Sequence, residues 1–273
     1  MPSAVVTGAG RGLGAAIAAA LAARGYSVRV TDVDHEAAEQ TASSIGGGTT
    51  ASELDVTDSD ACRLLAAAVA SHEGGLDLWV NNAGVLATGP SWTHPVGIRN
   101  AMVQVNTLGT INGTLGALEV MRPAGRGHVI NVVSLAGIFP TPGEAIYSAS
   151  KHAALAFSLA TSADLRAAGE RGVRISCLCP DGIWTPMLYP KLNDPTAAAS
   201  FTGSMLTTDQ VTTALLTLVD QPKLVLAVPR SRGVIARLAA SFPRFLVGAA
   251  PAFLADGRRR QRRFAKRLED GKL

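Results

Sequence analysis

The sequence predicts an α/β fold: one doubly wound parallel sheet of about seven strands, with helices on both faces, followed by a C-terminal helical extension. Short apolar runs alternate with helical stretches along most of the 273 residues. The strand runs are continuously apolar, as expected for strands that are buried on both faces. Hydrophobic residues make up 47% of the chain and aromatic residues only 5%, which suits tight packing of helices on a sheet.

The predicted elements follow each other in a regular order. Predicted strands end at or cover residues 5–7, 27–31, 54–56, 76–80, 127–133, 173–178 and 224–228. Predicted helices cover residues 12–24, 35–44, 58–71, 97–121 and 145–168. Thr57 or Asp58 can cap the third helix, because a side-chain oxygen there accepts hydrogen bonds from free backbone N–H groups. No internal repeat or linker is visible, so we predict one domain over residues 1–230 and an extension over residues 231–273.

Cysteine and hydropathy patterns predict a cytoplasmic protein. Cys62, Cys177 and Cys179 form no disulfide framework, and we expect buried thiols in a reducing compartment. The chain runs straight into a strand, so no signal peptide is expected. No apolar run reaches the ~20 residues that cross a bilayer. The five histidines show no ligand spacing, and no metal site is predicted.

The C-terminal tail carries the positive charge of the chain. Eight Lys or Arg and three Asp or Glu lie between Asp256 and Leu273, whereas the net charge of the whole chain is +4. Three interpretations stay open. The tail packs over the substrate cleft or a neighbouring subunit, lies on an anionic membrane surface and makes the protein peripheral there, or is a solvated, frayed end. Nothing else on the chain supports a basic face, so no nucleic-acid partner is expected.

A glycine-rich loop after the first strand predicts a dinucleotide site. Gly8, Gly12 and Gly14 allow the backbone to approach a pyrophosphate, and the following helix offers free N–H groups. Asp32, at the end of the second strand, can accept hydrogen bonds from both ribose hydroxyls and would repel a 2′-phosphate. This favours NAD over NADP, although Arg11 could reach a 2′-phosphate. Asp32 could also serve as a helix N-cap, and the two roles could coexist.

A tyrosine and a lysine predict proton-transfer chemistry. Tyr147 and Lys151 are four residues apart and share one face of a helix. A phenol ordinarily titrates near pH 10, and a nearby ammonium lowers its pKa. The Ser134 hydroxyl could hold the oxygen that gains or loses the proton. Together these groups suit the transfer of a proton to or from an alcohol or carbonyl oxygen.

These motifs occur in the order of a known family. The chain resembles the short-chain dehydrogenase/reductase family from about residue 3 to residue 230. The resemblance rests on Thr7-Gly8-x-x-x-Gly12-x-Gly14, Asp55-Val56, Asn81-Asn82-Ala83-Gly84, Asn106, Ser134, Tyr147-x-x-x-Lys151 and Pro180-x-Gly182-Ile183-x-Thr185. It implies a Rossmann-type domain over residues 1–230 that binds both cofactor and substrate.

The resemblance also implies residue roles. The catalytic residues would be Asn106, Ser134, Tyr147 and Lys151, with Asn106 bulging its helix and holding a water in a proton relay. The cofactor would be bound by Gly8, Arg11, Gly12, Leu13, Gly14, Asp32, Asp55, Val56, Asn82, Ala83, Gly84, Tyr147, Lys151, Pro180, Gly182, Ile183 and Thr185. Asp181 departs from the family, which usually has glycine there. It is either a solvated turn residue or a carboxylate that faces the substrate.

We therefore expect an NAD(H)-dependent oxidoreductase that interconverts a hydrophobic secondary alcohol and its ketone. Apolar stretches at residues 85–92, 135–146 and 184–206 would form the substrate wall, and residues 185–206 could act as a lid. The alternatives are an NADPH-dependent carbonyl reductase in biosynthesis and a non-catalytic nucleotide-sensing protein. The family suggests a homotetramer or homodimer.

Overall fold

The computed structural model describes residues 1–271. In this range seven parallel strands form one sheet in the order β3-β2-β1-β4-β5-β6-β7. The strands are β1 Ser3–Thr7, β2 Ser27–Asp32, β3 Thr50–Glu53, β4 Leu78–Asn81, β5 Gly127–Val132, β6 Val173–Pro180 and β7 Val225–Val228. The helices are α1 Gly12–Ala23, α2 His35–Ile45, α3 Ser59–Glu73, α4 Val96–Val103, α5 Gly109–Met121, α6 Ala145–Ala167, α7 Thr208–Asp220, α8 Arg230–Ala240 and α9 Pro243–Glu269. The predicted doubly wound α/β fold with a C-terminal helical extension is confirmed.

Each face of the sheet has its own apolar core. On one face, Ile17 and Leu21 of α1 and Leu215 of α7 are fully buried against the central strands. On the other face, Trp79 of β4 and Met121 of α5 are fully buried with residues of α3. Because both faces are covered, the strands need to be apolar along their whole length, as the sequence shows.

The strand order places a crevice at the carboxyl ends of the central strands. β1 pairs with β2 on one side and with β4 on the other, so the chain changes direction across the sheet beside β1. Ligands of open α/β sheets bind outside the carboxyl ends of the strands at such a switch point. The loops that follow β1, β4, β5 and β6 therefore converge on the same crevice.

The third strand ends earlier than the sequence predicts. β3 stops at Glu53, although the N–H of Leu54 still donates to the Asp32 carbonyl at 2.9 Å, and a turn begins at Val56. Residues 54–56 are therefore not strand as predicted. The Asp55 Oδ1 atom accepts hydrogen bonds of 2.8 Å from both the backbone N–H and the hydroxyl of Thr57. This local carboxylate turn competes with the strand ladder and ends it.

The predicted helix over residues 97–121 is interrupted in the middle. α4 and α5 are joined by a π-helical segment, Gln104–Leu108, which contains the buried Asn106. The Thr110 hydroxyl donates a 2.9 Å hydrogen bond to the Asn106 carbonyl. The helix bulge that the family resemblance implies at Asn106 is thus present.

The C-terminal extension folds back over the body. Gln261 of α9 is buried, and its Nε2 donates to the carbonyl oxygens of Lys191, at 2.9 Å, and Asp194, at 2.8 Å. The rings of Phe264 and Trp184 meet edge to face with centroids 4.9 Å apart. Of the three interpretations of the tail, packing over the substrate side is therefore the one that the structure supports for the described residues. None of the helices within residues 1–271 combines the length and apolarity that a bilayer span requires.

Helix α5 approaches the end of β4 closely at Gly113. A Cβ atom at Gly113 would lie 2.1 Å from Asn81 Oδ1, which already accepts a 2.7 Å hydrogen bond from Trp79 Nε1. Gly113→Ala should therefore lower the free energy of unfolding by about 1–3 kcal/mol in chemical denaturation, as expected for overpacking of a buried site. Gly97→Ala is the matched control: it also lies in a helix, but a Cβ there meets no atom within 4 Å. The control should be neutral or slightly stabilising, and equal stability of the two variants would contradict the packing argument.

Candidate active site

The glycine loop folds tightly against itself and against the end of β4. A Cβ at Gly14 would lie 2.3 Å from the Gly8 carbonyl oxygen and 2.6 Å from Asn82 Nδ2. Gly8 has a φ of +61° and lies close to the Ala83 backbone. Only glycine fits both positions, because one lacks space and the other combines a close contact with a left-handed backbone. The first N–H groups of α1 consequently open into the crevice, where a pyrophosphate could bind.

The carboxylate of Asp32 borders this loop. Its Oδ2 accepts a 2.9 Å hydrogen bond from Gly10 N, and its Oδ1 accepts a 3.2 Å bond from Asp34 N. The N-cap of α2 is Asp34, whose side chain accepts from Ala37 N. Asp32 is thus not the helix cap, and its carboxylate remains available to the crevice.

The ends of β1 and β4 are held together by side chains. The Thr7 hydroxyl accepts hydrogen bonds from the backbone N–H groups of Asn82, at 3.0 Å, and Ala83, at 3.1 Å. Asn82 Nδ2 in turn donates to the carbonyl oxygens of Thr7 and Gly8, both at 3.0 Å. These contacts fix the wall of the crevice opposite Asp32.

Ser134, Tyr147 and Lys151 meet at the carboxyl end of β5. Ser134 follows the strand, and the other two lie on the first turns of α6. The Lys151 Nζ donates a 3.0 Å hydrogen bond to the Val132 carbonyl and lies 5.8 Å from the Tyr147 ring centroid. The structure therefore brings the predicted hydroxyl, phenol and amine together at one point.

Burial dominates the protonation of this group. It raises the pKa of Tyr147, and the neighbouring Glu144 carboxylate raises it further, while the Ser134 hydroxyl acts in the opposite direction. Burial also lowers the pKa of Lys151 to about 8. The sequence predicts a lowered pKa for Tyr147. In the protein by itself the pKa of Tyr147 is shifted in the opposite direction. The reason is that removal of both groups from water disfavours phenolate and ammonium alike.

Asn106 lies directly behind this group. Its Oδ1 accepts a 2.8 Å hydrogen bond from Val85 N, and its Nδ2 donates to Val85 O at 2.9 Å and to Ser150 Oγ at 3.0 Å. A Cβ at Gly84 would lie 3.2 Å from Asn106 Oδ1 and 3.6 Å from Lys151 Nζ. The Asn106 amide thus anchors the loop after β4 next to the lysine.

One cleft of about 1190 Å³ joins these features. It is lined by every residue that the sequence predicts to bind the cofactor, from the Gly8 loop to Thr185, and by Ser134. Asn106 is buried behind the cleft and does not line it. The donor set and the space beside Gly8 and Gly14 fit a dinucleotide.

The substrate end of the cleft is mostly apolar, as the sequence predicts. Eight large apolar or aromatic side chains from the three stretches that the sequence predicts for the substrate wall are candidates, and of these Leu135, Phe139, Met187 and Leu188 line the cleft. The other four do not: Ile146, Trp92, Trp184 and Tyr189 lie outside it. Trp92 is 85% exposed, and Trp184 packs against α9. Sequence position alone does not separate such outward-facing side chains from lining ones.

Asp181 is not a solvated turn residue, but a buried, ion-paired residue at the wall of the cleft. Its carboxylate is 9% exposed and forms a 2.8 Å ion pair with Arg232 Nε of α8. Arg232 also donates to the Thr202 hydroxyl at 3.3 Å. Asp181 lines the cleft, but its charge is matched by an arginine from the extension. The solvated-turn interpretation is wrong, and a substrate-facing role is limited by the ion pair.

The sequence does not single out Glu144. This residue precedes α6, is 5% exposed and lines the cleft. Its pKa is raised to about 7, chiefly by burial and also by the nearby Asp181 carboxylate, while the Ser200 hydrogen bond and Lys191 act in the opposite direction. The available signal was its position as an acidic residue in the otherwise uncharged stretch 135–146.

Residues of the extension also line the cleft and were not predicted. They come from α8 and the first half of α9 and include Arg232, Ile235, Ala236, Phe245, Leu246 and Phe253. Phe253 packs against Phe139 with ring centroids 5.8 Å apart. Packing over the substrate cleft was one of the three interpretations of the tail, but the sequence did not indicate which of its side chains would line the cleft.

Comparisons with known proteins find matches among the short-chain dehydrogenases. The family model for short chain dehydrogenases matches residues 2–196. The chain is 35% identical over 191 residues to the sex determination protein tasselseed-2 of Zea mays, covering 68% of this chain and 56% of that protein. It is 35% identical over 192 residues to 1-deoxy-11-beta-hydroxypentalenate dehydrogenase of Streptomyces exfoliatus, covering 68% and 69%. It superposes on a short chain dehydrogenase/reductase of Burkholderia phymatum in complex with NAD, with a TM-score of 0.80, 26% identity and coverage of 90% and 95%.

Proposed function

This chain belongs to the short-chain dehydrogenase/reductase family of NAD(P)-dependent oxidoreductases, and from that premise we propose that it is an NAD(H)-dependent enzyme that interconverts a hydrophobic secondary alcohol and its ketone. The observation that carries the proposal is the meeting of Ser134, Tyr147 and Lys151 in the same cleft as the glycine loop. The Streptomyces relative is named as a dehydrogenase of a hydroxyl-bearing compound.

Tyr147 is the proposed general acid and base. In alcohol oxidation its phenolate takes the hydroxyl proton while the Ser134 hydroxyl holds the reacting oxygen. When bound, the oxidised cofactor supplies the hydride acceptor and a positive charge beside the phenol. In ketone reduction the same phenol returns the proton to the carbonyl oxygen. The high pKa of Tyr147 in the protein alone keeps it protonated and ready for that direction.

Lys151 and Asn106 are the proposed path for the proton to solvent. Lys151 has a pKa of about 8, so it can gain and lose a proton near neutral pH. The Asn106 side-chain amide is engaged with Val85 and Ser150. Its main-chain carbonyl accepts a hydrogen bond from the Thr110 hydroxyl, and its second lone pair could hold a relay water. The remaining cofactor residues named above would bind the adenosine, pyrophosphate and nicotinamide ribose.

The cofactor preference follows from two opposed charges. Asp32 borders the cleft and favours NAD, because it can bind both ribose hydroxyls and repels a 2′-phosphate. Arg11 also lines the cleft, and this observation favours the second candidate, an NADPH-dependent carbonyl reductase. We infer that Asp32 decides, because its carboxylate is fixed by the Gly10 N–H.

The cellular setting is also part of the proposal. Val103, Leu108 and Leu115 are exposed apolar side chains along α4 and α5, and they suit a homodimer or homotetramer through these helices. The α8–α9 junction exposes Phe242 and Phe245 among arginines, which suits peripheral contact of a cytoplasmic enzyme with an anionic membrane.

Tyr147→Phe tests the acid–base assignment. It should lower kcat by roughly the 10²–10⁴-fold typical of a positioned acid–base group, while NAD affinity measured by calorimetry changes little. Tyr26 directly precedes β2 and lies at the amino ends of the strands, away from the cleft. The control variant Tyr26→Phe should leave kcat unchanged. Retained turnover in Tyr147→Phe would refute the assignment.

Asp32→Ser tests the cofactor preference. The ratio of kcat/KM for NAD to that for NADP should fall roughly hundredfold, because hydrogen bonds to a charged group are lost and repulsion of the 2′-phosphate is removed. Asp34→Ser is the control, since serine also caps helices and residue 34 does not line the cleft. A wild-type enzyme that is far more efficient with NADP would contradict the preference for NAD.

Vesicle co-sedimentation tests the membrane contact. The protein should bind vesicles rich in phosphatidylglycerol but not phosphatidylcholine vesicles, and the double variant Phe242→Ser/Phe245→Ser should bind weakly. Leu64→Ser, which replaces an exposed leucine of α3, should bind like the wild type. Absence of any lipid-dependent binding would end this part of the proposal.

A further inference from the structure

The charged side chains at the substrate end of the cleft differ in how they are paired. Asp181 and Arg232 form an ion pair, and Lys191 Nζ donates to the Thr88 hydroxyl at 3.3 Å. Glu144 is the exception: its Oε1 accepts one hydrogen bond, from Ser200 Oγ. Within residues 1–271, no other protein group forms a hydrogen bond to this carboxyl.

Glu144 is also well placed relative to the proposed reaction. It lies three residues before Tyr147, lines the same cleft and is close enough to influence the charge of the phenol. Its second oxygen accepts no hydrogen bond from the described residues. That oxygen is not among the fully buried side-chain atoms that lack a partner, and Glu144 lines the cleft, so the oxygen is open to the cleft. A ligand in the cleft would supply the missing partner.

The surroundings define which ligand group fits. The charged and titratable groups around Glu144 are Tyr147 on α6, Asp181 after β6, Lys191 on the lid and Arg232 on α8, which is neutralised by Asp181. Burial is the main cause of a Glu144 carboxyl pKa of about 7, with a hydrogen bond from Ser200 and the charge of Lys191 acting to lower it and the charge of Asp181 acting to raise it. Such a group is present both as a proton donor and as an acceptor at neutral pH. A hydroxyl can both donate and accept, so it satisfies either form, whereas a carbonyl oxygen satisfies only the protonated one.

We propose that Glu144 binds a second hydroxyl of the substrate, distinct from the one that reacts at Tyr147. The inference rests on the proposed function and narrows its substrate class to hydrophobic diols and the corresponding hydroxyketones. The apolar wall of Leu135, Phe139 and Leu188 holds the carbon skeleton, and Glu144 fixes its orientation.

A competing explanation makes Glu144 a structural latch. Ser200 belongs to the lid segment Pro195–Phe201, so its hydrogen bond to Glu144 joins the lid to α6. A latch would affect every substrate equally. Recognition of a second hydroxyl affects only substrates that have one, and this difference separates the two roles.

The test compares alcohols that differ only in the second hydroxyl. We would measure kcat/KM for cyclohexanol, 4-cyclohexylcyclohexanol and a graded series of their diols. The wild type should prefer at least one diol over its matched alcohol by roughly tenfold to hundredfold, the range expected for a hydrogen bond to an ionisable group. Glu144→Leu should abolish this preference, so that kcat/KM no longer differs between diol and matched alcohol. Any effect of the lost carboxylate on the Tyr147 pKa changes both substrates by the same factor.

Two variants serve as controls. Glu144→Gln keeps a donor and an acceptor and should retain most of the diol preference. Ser200→Ala removes the lid contact but keeps the carboxyl, so it should change kcat/KM for diol and alcohol by the same factor. Loss of the preference in Ser200→Ala together with its retention in Glu144→Leu would overturn the proposal, as would absence of any diol preference in the wild type.

A binding measurement keeps this test independent of turnover. Calorimetric titration of the same diols and alcohols into the protein saturated with NADH measures affinity in a complex in which an alcohol cannot be oxidised. Tighter binding of a diol to the wild type, but not to Glu144→Leu, would support the Glu144 site even if no tested alcohol is oxidised. Equal affinities for diol and alcohol would overturn it even if Tyr147 proves to be catalytic.

Discussion

The desolvation of Tyr147 and Lys151 is the constraint on which the rest of the structure depends. A phenol and an amine that both titrate near pH 10 in water are held where both of their charged forms are disfavoured. Such a site responds strongly to any charge placed beside it, because electrostatic interactions are strong away from water. The glycine loop, the lid and the C-terminal helix all contribute to an enclosed, mostly apolar cleft around this pair.

The C-terminal helix contributes to that enclosure from a distance in sequence. Gly257 approaches the lid closely, since a Cβ there would lie 2.2 Å from the Ala198 carbonyl oxygen. Gln261 satisfies two lid carbonyls, and Phe264 covers Trp184 and Phe201. Ala197, Ala198 and Phe201 of this segment are fully buried, and the contacts from α9 therefore help to define its position. The extension is thus a part of the substrate cleft and not merely an appendage to the fold.

The features that the sequence predicts are those encoded locally. Strand runs, the glycine loop and the spacing of Tyr147 and Lys151 depend on neighbours within a few turns, so periodicity and backbone rules are sufficient. Features that depend on side chains far apart in the chain were not predictable. The Glu144–Ser200 contact spans 56 residues and the Asp181–Arg232 contact spans 51. The direction of the Tyr147 pKa shift was not predictable for the same reason, because it depends on how far the folded chain removes the phenol from water.

Asp181 illustrates how such distant contacts can change a family pattern. The glycine usual at this position has no side chain, whereas the aspartate places a buried carboxylate at the end of β6. Two compensating features are visible: Arg232 from α8 pairs with the charge, and Gly203 leaves the space, since a Cβ there would lie 2.1 Å from Asp181 Oδ2. Removing one partner of a buried ion pair leaves an uncompensated charge. The substitution at residue 181 and the helix that follows β7 are therefore physically linked, and the body of this enzyme and its extension form one structural unit.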